Sequence, residues 1–252
     1  MLATFCLRLA CGMIAALLLV SPEQVNPRFY RVQFLTALGL SALSIVFLRD
    51  LPAANEVWLW IALGAAILGA FLGSLSWSLN GAPAGRTLIA VTAVALVVVL
   101  GLIVDPSSSQ NDRISLFAGS FSSAAVLGSA MTAMLMGHSY LVAPSMSMTP
   151  LLRLLVGLFV ATAVRGVVCG VALSSWTSEH SLVTLNDVTI LLPLRWGLGI
   201  FGPLLLGVMA WHTARIRSTQ SATGILYVVV IFCFLGELIS EVLFRFTGGY
   251  ML

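Results

Sequence analysis

Lysine is absent from this chain: all 12 of its basic residues are arginine. Charge of either sign is scarce. Aspartate and glutamate together number 9, the formal net charge is +3, and only 8% of residues are charged. A soluble domain carries about a quarter charged residues, so there is no polar shell here to face water on all sides. No basic run is long enough to grip a nucleic acid, and there is no acidic tail. Cysteine is limited to Cys6, Cys11, Cys169 and Cys233. All four fall in apolar stretches with no CxxC or other ligand spacing, which excludes a disulfide framework or zinc knuckle and leaves small buried apolar residues. The motifs of soluble enzymes are missing too: no phosphate loop, no GxGxxG in context, no HExxH and no GxSxG.

What is present is hydrocarbon. The 252 residues are 60% hydrophobic, with a mean hydropathy of +1.07, so much of the surface must use lipid as its solvent. A spanning helix needs about 20 mostly apolar residues. Eight segments qualify, at 3–20, 30–48, 57–78, 87–104, 115–139, 151–175, 188–212 and 222–246. Between them lie short stretches of turn chemistry: SPEQVNP, RDLPAANE, NGAPAG, DPSSSQND, APSMSMTP and RSTQSA. The expected fold is all-α, a polytopic helical bundle forming one integral membrane domain over 1–252, with no soluble domain and no internal repeat. The first apolar run lacks a basic leader and contains Arg8, and Cys11 follows Arg-Leu-Ala, a poor lipoprotein box. It reads as a span that is retained rather than a signal peptide.

The loop arginines set an orientation. Arg28, Arg31, Arg86, Arg153, Arg215 and Arg217 collect at one end of the bundle, against the single acid Glu23. The other end holds Arg49, Arg113 and Arg245 with Asp50, Glu56, Asp105, Asp112, Glu179 and Asp187. The arginine-rich end is expected in the cytoplasm, which puts both termini outside, on the periplasmic side of a bacterial inner membrane.

Polar residues inside the spans carry the functional expectations. With a rise of about 1.5 Å per residue, Arg165 of the sixth span, Arg195 of the seventh and Glu237 of the eighth all fall about 4–6 Å outside the bilayer centre. Glu241 lies one turn further out, and Arg8 of the first span is in the same half. Glu237, Glu241 and Arg245 share one helix face by their i, i+4, i+8 spacing. Charges in hydrocarbon pair with one another or line a path for a ligand, proton or ion; both readings stand for Arg165, Arg195, Glu237, Glu241 and Arg8.

The fifth span has two small-residue rows, Ala124, Gly128, Thr132 and Ala125, Ser129, Ala133, Gly137. These let neighbouring helices approach closely and place that span at the centre of the bundle. A weaker set, Gly157, Ala161, Gly166 and Gly170, lies on the sixth. Gly202 and Pro203 interrupt the seventh, a packing kink before a transporter-type break.

Three histidines complete the inventory. His138 and His212 close the fifth and seventh spans at the arginine-rich end, beside Tyr140 and Trp211. They are ordinary interfacial residues or, as a pair from two helices, axial ligands of a b-type haem. His180 belongs to a loop at the opposite end.

The last helix, GELISEVLFRF from Gly236, resembles the GE-x-x-x-R-x-x-FY ending of the membrane anchor subunits of dimethyl sulfoxide reductase and polysulfide reductase-type complexes. The size and the eight-span topology are similar as well. This chain departs from that ending in having Glu241 near the place of the arginine, with Arg245 four residues later. The resemblance implies a subunit that oxidises a quinol near the outer face and passes electrons to an iron–sulfur partner, with Glu237, Arg195 and Arg165 in the quinone pocket. Two other functions remain open on the residues alone: a small-solute or proton-coupled transporter using the same charges, and a structural assembly subunit in which they only fix packing.

Overall fold

Lipid offers no partner to a backbone N–H or C=O, so a chain this apolar satisfies its backbone within helices. The computed structural model describes residues 2–48, 56–79, 84–104, 110–143, 146–179 and 188–247. Arg49, Asp50, Asp105, His180 and Asp187 lie outside these, as do the side chains of Asp112 and Glu179. Among the described residues the ordered elements are helical throughout. They are α1 (Leu2–Ala16), α2 (Pro27–Leu48), α3 (Val57–Ser76), α4 (Gly85–Leu102), α5 (Gln110–Val142), α6 (Thr149–Glu179), α7 (Val188–Trp196), α8 (Gly202–Arg215) and α9 (Thr219–Phe246). A 3-10 turn, Leu17–Leu19, continues α1, and a π segment, Gly197–Phe201, joins α7 to α8 into one span. Eight spans are therefore long and apolar enough to cross a membrane, and the chain is an integral, multi-pass membrane protein.

The bundle reverses the polarity of a soluble protein. Large apolar side chains cover the outside, such as Val46, Trp58, Val91, Val167 and Leu205, each more than half exposed. A water-soluble monomer does not tolerate so continuous an apolar exterior. Serines, threonines, arginines and glutamates are buried in its interior.

Helix α5 packs against α1, α6 and α9, the central place its small residues predict. Its two rows meet two different partners. A Cβ placed on Gly128 would overlap the backbone of Gly12 and Met13 in α1, and one on Gly12 would overlap Ala124. A Cβ on Gly137, from the other row, would come within 2.9 Å of the Thr223 hydroxyl in α9. Such close approach maximises dispersion contact, which replaces the missing hydrophobic drive between helices in lipid. Phe5 of α1 meets Phe234 of α9 edge to face at 5.3 Å, so the first and last spans are packed together.

Aromatic residues secure the arginine-rich end. The Tyr30 hydroxyl donates to the Val20 carbonyl at 3.1 Å, and its ring stacks on Trp77 at 4.1 Å. This ties the end of span one to the end of α3. The Tyr140 hydroxyl donates to the Ser147 carbonyl across the turn between α5 and α6.

Gly128→Val should lower the stability of the purified protein by about 3 kcal/mol or more, the upper end of overpacking costs, because the obstructing atoms are backbone. Gly39→Ala, where a Cβ meets nothing within 4 Å, should not lower it, since alanine is the better helix former by about 0.5–1 kcal/mol. Unfolding of both variants in detergent checks the pair; equal effects would contradict the close α1–α5 crossing.

Candidate functional site: a buried arginine–glutamate network

Helix periodicity places Glu237, Ser240 and Glu241 on one face of α9, three and four residues apart. That face is buried. The residue before Glu237 is Gly236, and this glycine fixes the crossing with span seven. A Cβ on Gly236 would overlap Gly199 in the π segment, and one on Gly199 would come within 3.1 Å of Gly236. The two backbones touch where neither has a side chain. Arg195 stands one turn before Gly199, and its guanidinium runs through the space the glycines leave: a Cβ on Gly236 would sit 3.4 Å from Arg195 Nη1.

The π segment has a local cause. Pro203 lacks an N–H, and its ring displaces the carbonyl of the residue four before it, Gly199. The helix widens there, and the Gly202 amide donates to the Gly197 carbonyl, five residues back. Gly-Pro therefore acts as a local widening within a continuous span. The widened turn is what presses Gly199 against Gly236.

All five of the charged residues expected at this depth come together. Arg165 is fully buried and grips Glu237 with two parallel bonds, Nε to Oε1 at 3.0 Å and Nη2 to Oε2 at 2.8 Å. This forked geometry is the strongest that a guanidinium and carboxylate make. Arg195, also fully buried, donates from Nη2 to the same Oε1 at 3.1 Å. Glu237 is thus held between two arginines from α6 and α7. One turn along α9, Glu241 pairs with Arg8 of α1. These two side chains are the least enclosed of the five, although both are still buried.

Helix α5 supplies the neutral partners. Arg165 Nη1 donates to the Gly119 carbonyl at 3.0 Å and to the Ser122 hydroxyl at 3.4 Å. Arg8 Nη2 donates to the Ser120 hydroxyl at 3.2 Å. From α9, Ser240 accepts from Arg165 Nη2 at 3.2 Å. The Cys169 thiol, in α6, lies 3.5 Å from Arg195 Nη2 as a weak acceptor. Of these partners, only Cys169 drew attention in the sequence, as an inert apolar residue. All four cysteines are indeed free and buried, but Cys169 also contributes to the network. The serines of α5 read as small packing residues, and only their register with Arg8 and Arg165 marks them as acceptors.

The network links α1, α5, α6, α7 and α9. Neither described cleft opens onto it: one is lined by Gly101, Val104, Arg113, Ile114 and Phe117, the other by residues at the end of span one with Arg86 and Arg153. A small apolar cluster of Trp176 and Leu243, flanked by Leu173, Leu191 and Ile239, packs beyond it toward the ends of α6 and α9.

The histidines are elsewhere. His138 and His212 are both exposed on the outside of the bundle. His138 lies near the end of α5 and His212 in the last turn of α8. Among the described residues no group of three or more His, Cys, Asp or Glu side chains is placed to hold a metal ion. Comparison with protein families, with characterised proteins and with solved structures finds no match.

Arg8→Met strands Glu241 in the membrane interior and should cost about 3–5 kcal/mol, as removal of one partner of a buried pair does. Arg8→Met with Glu241→Leu should cost less than Arg8→Met alone. A double-mutant cycle in detergent unfolding measures this, and simple additivity would contradict direct pairing.

Proposed function

We propose that the chain is the quinol-interacting membrane subunit of a redox complex, with the arginine–glutamate network as its proton-accepting site. The observation that carries this reading is the arrangement on α9. Two carboxylates stand four residues apart on one buried face, the inner one clamped between two arginines and the outer one paired with a single arginine at the network's edge. Quinol oxidation releases two electrons and two protons. Glu241 would take the two protons in turn from the hydroxyls of a bound quinol once its pairing with Arg8 loosens, releasing the first to water at the near face before accepting the second. Glu237, bridged by Arg165 and Arg195, holds the two guanidiniums in place beside it. The electrons would go to an iron–sulfur partner subunit, as the resemblance implies. The resemblance of the last helix to reductase anchor subunits supports the same assignment. So does the loop-arginine pattern, which agrees with this half of the bundle facing the periplasm of a bacterial inner membrane.

The π segment favours a second reading, proton-coupled transport of a small solute. Such segments recur at functional sites, and this one lies against the network through Gly199. Movement at the α7–α9 crossing would open the carboxylates to a solute and break the Arg195 bond to Glu237.

Native purification from membranes followed by quinol-turnover and liposome-uptake assays separates the two. Under the first reading, Glu241→Gln lowers quinol turnover of the native complex by about 100-fold, the lower end for loss of a proton-transfer group. Glu237→Gln lowers it as well, and the isolated chain takes up no solute. Solute uptake by the isolated chain, abolished by Glu241→Gln, would establish the second reading. Folded glutamine variants with full activity in both assays would leave the network a packing device and overturn both.

A further inference from the structure

The alternation of spans brings the end of span one and the starts of α4 and α6 to the same end of the bundle. There they enclose a cleft of about 400 Å³, within the range of small-molecule sites. Its walls are Leu17–Pro22 and Ile89, and two arginines line it, Arg86 from α4 and Arg153 from α6. We infer that this cleft binds the headgroup of an anionic phospholipid, with Arg86 and Arg153 on the phosphate and the leucines against the acyl chains.

The two arginines come from helices far apart in sequence, yet they line one cavity whose described lining includes no acid. Unlike Arg8, Arg165 and Arg195, neither makes an ion pair among the described residues, and both are exposed. Beside them the floor is apolar and open: Leu18 is 60% exposed and Leu19 43%. A site for a free soluble anion has no use for an exposed leucine floor, whereas a lipid presents a phosphate and hydrocarbon together. The 3-10 turn at Leu17–Leu19 supplies this floor, the backbone becomes extended at Val20, and the Tyr30 bond to the Val20 carbonyl holds that point in place. Basic pockets between spans at the cytoplasmic face are suited to anionic headgroups.

The test uses the full-length protein in neutral detergent. Retention of phosphatidylglycerol and phosphatidylcholine with matched acyl chains is compared by native mass spectrometry. The wild type should prefer phosphatidylglycerol. Arg86→Gln with Arg153→Gln should reduce that preference by about 25-fold, given roughly fivefold per arginine near an anionic surface. The double lysine variant should keep most of it, and Arg28→Gln with Arg31→Gln, at the same end but outside the cleft lining, should leave it unchanged. An unchanged preference in the cleft variant, or an equal loss in the Arg28/Arg31 variant, overturns the site. Displacement of the lipid by millimolar inorganic phosphate would identify a free-anion site instead and overturn the lipid assignment.

Discussion

A charge inside hydrocarbon must be partnered, and the interior of this bundle is arranged around that requirement. An isolated arginine or glutamate at depth costs from about 3 to more than 10 kcal/mol. Five of them are tolerated here because each guanidinium finds a carboxylate and the remaining hydrogen bonds go to serines, a carbonyl and a thiol. Pairing of this kind is directional in a way that apolar contact is not. Leucine surfaces can slide over each other in lipid at little cost, but the forked contact of Arg165 with Glu237 has one register. The network therefore does for α1, α5, α6, α7 and α9 what a specific hydrophobic core does in water: it selects one arrangement from many of similar apolar area.

The glycines make that pairing possible. Arg195 reaches Glu237 only because Gly199 and Gly236 bring span seven and α9 into backbone contact. Gly199 is presented by the π segment that Pro203 enforces. Proline, glycine and arginine thus form one causal sequence along a single span: the ring displaces a carbonyl, the widened turn moves a glycine outward, and the guanidinium follows. On the far side of the bundle, Gly12 and Gly128 allow α1 to approach α5. Arg8 can then reach both Ser120 of α5 and Glu241 of α9. Small residues and buried charges are two parts of one design, since a charge pair forms only where backbones come close.

The eight spans were legible because hydropathy is a property of composition, insensitive to partner identity. The ends were less so. Helices α5 and α6 run past the predicted 115–139 and 151–175, since terminal polar residues such as those of Gln110–Arg113 form helix without adding apolar signal. The charge cluster was legible through depth: a constant rise per residue converts sequence position into height, and equal heights on adjacent helices predict proximity. Its serine partners were not, because a serine in a membrane helix looks the same whether it packs or accepts a hydrogen bond. The glycine–proline pair announced an irregularity without announcing its form. The exposure of His138 and His212 was hidden as well, since a residue's height does not reveal which way it faces.

Arginine plays two parts here, and the absence of lysine bears on both. At depth, a planar guanidinium can satisfy two oxygens of one carboxylate and still reach a carbonyl or hydroxyl, as Arg165 does. An ammonium is a compact point charge that is more strongly hydrated and readily gives up its proton when buried. Substituting lysine there would lose the fork. At the bundle's end, Arg86 and Arg153 are exposed and make no ion pair among the described residues. One residue type serves both settings, and the difference lies in what the fold brings alongside. Close helix crossings deliver glutamates to the buried set, and the turn of span one delivers an apolar floor to the exposed set.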